Sequence, residues 1–320
     1  LLSMASRLAD RGIQVNFSEV FRRPILAQLA AAIEWREHLN AFTQAGGVEV
    51  RAQGTSTPLF LMHETSGFDF YFPVLAKLID PKLSIYGLAG VPTHQQPLHS
   101  IQEQAHRMVN MVRLIQPQGP YKVAGWSSGG VLAYEVAIQL HSQGASIEFV
   151  GLLDTYAPQV FSEKTVIPVQ FSPQQYLLNF LRETSADAAS LLSLQNLIDS
   201  DGSLSFDDLF ARCLALKLIP EHLMGLSGHD AYLYLERMNR HEQSLQSYEP
   251  AIASFTVHIF VAEEDIPEGG DSANGSHLGW DGLIPNNRLK IVYVPGNHQS
   301  IMEEHLACLG KAITSALGCP

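Results

Sequence analysis

The 320-residue chain is acidic: 20 Lys and Arg stand against 32 Asp and Glu, for a net charge of −12, and no basic run is clustered. That balance argues against nucleic acid and anionic membrane surfaces as partners, and no apolar stretch approaches the ~18 residues that a membrane-crossing helix needs. Cys213, Cys308 and Cys319 lie far apart with no CxxC pair, which suggests neither a zinc site nor a disulfide framework and points to a reducing cytoplasm.

The length allows one large domain and one small one. Residues 1–38 read as a small helical unit. Leu1, Leu2, Ala5, Leu8 and Ala9 recur at helical spacing, and Gly12 is placed to stop that helix. The opening residues have neither a basic start nor a signal-peptide core and read as the middle of a helix, so the native chain is expected to begin upstream. Ser18 is placed to cap a short helix through Phe21. Pro24 fits a first helical turn ahead of Leu26, Leu29, Ala30 and Ile33. Residues 39–57, rich in Gly, Ser and Thr with little periodicity, read as a linker with a short edge strand near 48–50.

From Pro58 the rhythm changes. Apolar runs at 59–62, 83–88, 121–124, 149–153, 257–261 and 289–294 alternate with helical patterns at 72–78, 101–115, 130–141 and 298–317. Short apolar runs separated by helices predict parallel strands joined by crossovers, hence an α/β sheet. Between Pro158 and Ser254 the rhythm breaks. Four amphipathic segments, at 174–182, 188–198, 206–216 and 229–247, replace the strands. A helical insertion of this size in an α/β sheet is expected to be a lid over the site.

The strongest local signal runs from Tyr121 to Gly130, a strand followed by Gly125-Trp126-Ser127-Ser128-Gly129 and a helix. In the strand–GxSxG–helix turn, small residues two before and two after the serine let crowded backbones pass. Ser127 is therefore the candidate nucleophile; Ser128 has Trp126 where its own frame would need glycine. In this arrangement the base comes last in chain order, after the final strand. Of 13 histidines, His298 in the loop after 289–294 meets that requirement; His305 reads as part of the last helix. Two acids satisfy the order Ser, acid, His: Asp154, after the run 149–153, and Asp265, after the run 257–261. Spacing alone leaves both open. A tetrahedral intermediate needs two backbone N–H donors. The residue after the nucleophile, Ser128, supplies one, and Thr65, in the loop from His63 to Gly67 after the first core strand, is expected to supply the other. His63 is then a loop-orienting residue.

Together these residues resemble the thioesterase domains that end nonribosomal peptide synthetases, over residues 58–320. Gly125-Trp126-Ser127 and Gly129-Gly130, followed after Val131 by Leu132-Ala133-Tyr134-Glu135, match that family's nucleophile motif. His63, Thr65 and Gly67 match its oxyanion loop, with Glu64 in place of a proline. Leu152-Leu153-Asp154 matches the context of its acid, so the resemblance favours Asp154 over Asp265, and Gly296-Asn297-His298 matches the loop of its base. Residues 1–38 resemble the later part of a peptidyl carrier protein, through Phe21, Pro24, Leu26, Leu29 and Ala30. Its phosphopantetheine attachment serine is absent from the sequence, since Ser3 and Ser18 are wrongly placed.

The resemblance implies an α/β-hydrolase with a helical lid, preceded by a partial carrier domain and acting with upstream synthetase domains. It implies release of a 4′-phosphopantetheine-tethered peptidyl or aminoacyl thioester through an acyl-enzyme on Ser127, with no metal or nucleotide. The alternatives are a stand-alone serine esterase of the same fold and a non-catalytic domain that positions a carrier.

Overall fold

The computed structural model describes residues 26–54, 56–68, 70–92, 95–158, 172–183, 187–200, 203–220, 223–265 and 277–318. The expected helices before Pro24, the absent attachment serine's neighbourhood and Cys319 lie outside these residues.

Among the described residues, seven strands form one sheet in the order β1-β3-β2-β4-β5-β6-β7. They are β1 (Gly47–Arg51), β2 (Ser56–Met62), β3 (Leu83–Leu88), β4 (Tyr121–Trp126), β5 (Ile147–Leu153), β6 (Val257–Ala262) and β7 (Leu289–Val294). All neighbouring pairs are parallel except β1 with β3. The core strands are continuous apolar runs because both faces of the sheet are covered. Phe60 and Met62 of β2 face one core with Tyr86, Val123, Val150 and Ile259. Leu59 and Leu61 face the other, with Ile85, Ala124, Phe149 and Phe260. This is the period-two alternation of a pleated strand.

The helices on the sheet are α1 (Leu26–Gln44), α2 (Phe72–Ala76), α3 (Ile101–Ile115), α4 (Ser128–Ser142) and α9 (Leu306–Ala316). Ser100 caps α3. Its side chain accepts from Glu103 N, which satisfies one orphan donor of the first turn, while Glu103 Oε2 reaches back to accept from His99 N, just before the cap.

The segment 39–57 is more ordered than a linker. α1 continues to Gln44, and β1 joins the sheet edge by pairing with β3. The join is anchored by Phe42, fully buried and edge-on to Tyr86 with ring centroids 5.7 Å apart. The last helix also differs from expectation. His298 sits in a turn, a 3₁₀ turn spans Ser300–Met302, and α9 starts only at Leu306 with His305 at its N-cap. The break is local. Asn297 Oδ1 accepts from the N–H groups of Gln299 and Ser300, a capping arrangement that starts the short 3₁₀ turn, and that turn ends at Glu303, whose φ of −119° and ψ of −94° leave the helical region.

Between β5 and β6 lie α5 (Pro173–Glu183), α6 (Ala188–Ser200), α7 (Phe206–Ala215) and α8 (Gly228–Gln246). They enclose a separate core that includes Leu177, Leu181, Leu194, Phe210 and Leu235. Cys213 is buried there, and Cys308 is exposed. Among the described residues, no helix is long and apolar enough to cross a membrane.

Candidate active site

β4, in the middle of the sheet, ends at Trp126, and α4 begins at Ser128. Ser127 is the hinge between them, with φ 54° and ψ −130°. A non-glycine residue there is strained, and such strain is held only where the surroundings over-determine it. Here Ser127 N donates to Leu153 O at 3.0 Å, and Ser127 O accepts from Gly130 N at 3.0 Å. The flanking glycines are required by contact. A Cβ on Gly125 would lie 2.1 Å from Gly129 O, and one on Gly129 would lie 2.6 Å from His63 O and 2.8 Å from Met62 O. Gly130 is crowded in the same way by Thr155 Oγ1, at 2.0 Å.

Facing the elbow are the ends of β5 and β7. His298 Nε2 is 3.0 Å from Ser127 Oγ. Its Nδ1 is 2.6 Å from Asp154 Oδ2. Asp154 is fully buried, and its other oxygen, Oδ1, accepts from Ala262 N at 2.9 Å. The carboxylate is thus fixed from β6, while its own φ of 47° turns it off the end of β5. Asp265, the other acid allowed by spacing, closes a 3₁₀ turn spanning Glu263–Asp265 after β6. The imidazole of His298 lies nearly parallel to Trp126, at 24° with centroids 5.2 Å apart. The loop carrying it turns at Gly296, where φ is +96°. Asn297 Nδ2 donates to Glu264 Oε2, at 3.4 Å.

Opposite His298 is the loop after β2. Ser128 opens α4, where first-turn N–H groups have no intrahelical acceptor. Its hydroxyl is 3.0 Å from Thr65 Oγ1, so the two expected oxyanion donors sit on adjoining residues of the elbow and the loop. Glu64, which stands where the resembling family has proline, ties the loop down by other means. Its carboxylate accepts from Ser66 N at 2.7 Å and from Ser66 Oγ. Burial pushes its pKa up, opposed by those two bonds. Gly67 (φ +77°) closes the turn through Gly67 N to Glu64 O, at 2.9 Å. His63 is buried, with Nδ1 2.6 Å from Glu64 O. Burial pulls its pKa down to about 4, although the bond to Glu64 O raises it and Arg107 and Arg237 lower it further; a neutral ring suits a loop-orienting role. Tyr71 bridges the two strand ends. Its hydroxyl donates to Met62 O and accepts from Trp126 N at 3.4 Å.

The structure therefore brings Ser127, His298 and Asp154 into one chain of contacts and sets Thr65 beside Ser128. Three contributors were not singled out by sequence reasoning. Trp126 stacks on His298, Glu64 braces the loop, and Ala262 N holds the acid. Trp126 stood in plain sight in the nucleophile motif, whereas a backbone donor on another strand leaves no sequence signal. Among the described residues, no group of three or more His, Cys, Asp or Glu is arranged to hold a metal.

A mostly parallel sheet carrying a strained serine at a strand–helix turn, with a histidine after the last strand, defines an α/β-hydrolase. Residues 57–200 match the thioesterase domain family. The chain is 25% identical over 327 residues to the dimodular nonribosomal peptide synthase of Bacillus subtilis (strain 168), an alignment covering 99% of this chain and 13% of that protein. It is 32% identical over 148 residues to enterobactin synthase component F of Escherichia coli O157:H7, covering 46% of this chain and 11% of that protein. The chain thus spans only a small part of the curated relatives it matches. Among solved structures, it resembles a four-domain nonribosomal peptide synthetase bound to AMP and glycine (TM-score 0.68, 24% identity, 86% of this chain and 20% of that one). It also resembles the NocB thioesterase domain in covalent complex with a fluorophosphonate nocardicin G analogue (TM-score 0.56, 24% identity, 83% and 96%). Residues 57–200 are thus similar to thioesterase domains, and the chain is similar to parts of nonribosomal peptide synthetases.

Proposed function

We propose that this chain releases a carrier-bound peptidyl or aminoacyl thioester from a nonribosomal peptide synthetase, with Ser127 as nucleophile, His298 as base and Asp154 as the acid that orients it. The observation that carries the proposal is the pair of imidazole contacts, Nε2 to Ser127 Oγ at 3.0 Å and Nδ1 to buried Asp154 at 2.6 Å. Asp154 holds the tautomer whose Nε2 lone pair faces the hydroxyl. His298 takes the Ser127 proton as Oγ bonds to the thioester carbon, and the backbone N–H groups of Thr65 and Ser128 receive the developing oxyanion. Collapse breaks the C–S bond, the imidazolium returns its proton to the departing thiolate, and an acyl-enzyme remains. Water, or an amine or hydroxyl of the acyl chain itself, then attacks by the same route in reverse.

The thiol is that of 4′-phosphopantetheine on a carrier domain, to which residues 1–38 contribute the later part. Residues 39–57, with the end of α1 and the edge strand β1, lead into a thioesterase domain at 58–320, with the helices of about 158–254 as a lid. The partners are upstream synthetase domains, with no nucleic acid, membrane, metal or nucleotide involved, and the compartment is the cytoplasm. The test is labelling and turnover together. Ser127 is expected to be labelled by a fluorophosphonate probe, and Ser127→Ala to lose both labelling and release of acyl groups from a loaded carrier. Normal release by folded Ser127→Ala would overturn the assignment.

A further inference from the structure

Beside the oxyanion loop lies a cavity of about 160 Å³. Thr65 and His63 form its wall toward the reacting serine. α8 forms its roof through Glu236, Arg237, Arg240 and His241, and Arg107 of α3 lies at its side. In a chain of net charge −12, three arginines meeting at one cavity run against the global balance. Their states differ. Arg240 is paired with Glu236. Arg107 donates to the carbonyls of Ala89 (2.9 Å), Gly90 (3.3 Å) and Ala45, a cage without a counter-charge. Arg237 has neither a carboxylate nor a hydrogen-bond acceptor among the described residues. It is half-buried, its guanidinium carbon 5.3 Å from the centre of the Phe68 ring. Its stem lies against Gly67, where a Cβ would meet Arg237 Cδ at 2.6 Å. The loop that places Thr65 therefore also fixes Arg237. His241 is a second polar group without a full set of partners. It is 3% exposed, Nδ1 is 3.0 Å from Gln104 Oε1, and Nε2 has no partner. Burying unpaired polar groups and charges is costly unless a ligand completes them.

We propose that this cavity recognises a carboxylate carried by the acyl chain, with Arg237 as the specificity-determining residue. The proposal rests on the release reading above. A guanidinium with its donors unspent is matched to the planar geometry of a carboxylate, and Arg107 and Arg237 leave the cavity with positive charge that the single Glu236 does not cancel. The acyl chain, rather than the carrier arm, is the source because the cavity shares Thr65 with the reacting centre. A group held there is only a short reach from the carbonyl under attack, whereas the arm's phosphate lies at its far end, toward the carrier.

The test compares N-acetylcysteamine thioesters of ω-carboxyl acyl chains of increasing length with their ω-carboxamide counterparts. At the chain length that reaches the cavity, the wild type is expected to favour the acid in kcat/KM by about 10- to 100-fold, the value of a hydrogen bond to a charged group. Arg237→Gln is expected to bring that ratio close to one, and Arg237→Lys to restore part of it. No preference at any length, or a preference that survives Arg237→Gln, would overturn the proposal. A preference for phosphopantetheine over pantetheine thioesters of one neutral acyl group, lost in Arg237→Gln, would overturn it too, by moving the anion to the arm. Should the wild type turn over none of the thioesters, the release reading falls. The cavity is then judged by calorimetric titration with free dicarboxylates, which the wild type is expected to bind at least tenfold more tightly than Arg237→Gln; equal binding would sink the carboxylate assignment.

Discussion

Replacing Asp154 by Asn tests the site at its most informative point. The carboxylate is fully buried and accepts two bonds, from Ala262 N at 2.9 Å and from His298 Nδ1 at 2.6 Å. An amide has the same shape but only one accepting end. Ala262 N–H is fixed in the backbone and must face the oxygen, so the amide NH₂ faces Nδ1. The ring then carries its proton on Nε2, 3.0 Å from Ser127 Oγ, and cannot accept another. An equivalent substitution in a serine triad lowers kcat by about 10⁴, or about 5 kcal/mol of barrier. The shape is kept, so folding should be little affected. Thiol release from an N-acetylcysteamine thioester, followed with a chromogenic disulfide, measures the loss, and circular dichroism monitors the fold. The same substitution at Asp265 is expected to leave turnover within about twofold, an effect of well under 1 kcal/mol. If Asp154→Asn keeps a tenth of wild-type turnover, or Asp265→Asn takes the larger loss, the tautomer argument is wrong.

Gly129→Ala would press its methyl into the carbonyls of Met62 and His63, at 2.8 and 2.6 Å. Overpacking of this kind costs about 1–3 kcal/mol, and its relief must shift the loop that carries Thr65. Fluorophosphonate labelling of Ser127 is expected to slow in protein that unfolding assays still report as native, and unchanged labelling would count against the contact. A different perturbation uses pH. Burial pulls the pKa of His241 down to about 3, with His63 as a secondary cause, from an ordinary 6.5. The unfolded chain therefore takes up a proton below pH 6.5 that the folded chain refuses. Stability is lost as pH falls from about 6.5 toward 3, at up to about 1.4 kcal/mol per pH unit for this group. In urea titrations between pH 6.5 and 4, His241→Gln is expected to lose stability less steeply than the wild type; parallel profiles would refute the assignment.

The elements most legible in the sequence are those whose burial leaves a long pattern. The strand runs at 83–88 and 289–294 coincide with β3 and β7, and 101–115 coincides with α3. All four amphipathic segments of the insertion fold as helices within two residues of the expected ends, because each turns one stripe to a shared apolar core. The edge strand expected at 48–50 is β1, Gly47–Arg51, with one neighbour and mixed exposure; its partner β3 and the Phe42–Tyr86 contact beside it join residues far apart in sequence and leave no local pattern. The last helix begins later than the periodicity of 298–317 suggests because the backbone leaves the helical region at Glu303, a break that the apolar spacing does not mark. The acid was ambiguous for a topological reason. β5 and β6 are parallel neighbours, so Asp154 and Asp265 follow strands that end on the same edge of the sheet, and spacing cannot say which carboxylate reaches the ring. The charge at the cavity was invisible in a different way. The pattern at 229–247 announces a helix but not that Arg237 meets the loop of Gly67 and Phe68.

The excursion from β5 to β6 leaves from one strand and returns on the next, so its two attachment points are already stitched together by the sheet. Its helices keep an apolar centre of their own, while the serine, imidazole and carboxylate are held by strand ends and by the amide of Ala262. Reshaping the helical insertion and rebuilding the site at the strand ends are therefore separable problems in this architecture: the helices can be exchanged, one for another, without re-registering a single strand.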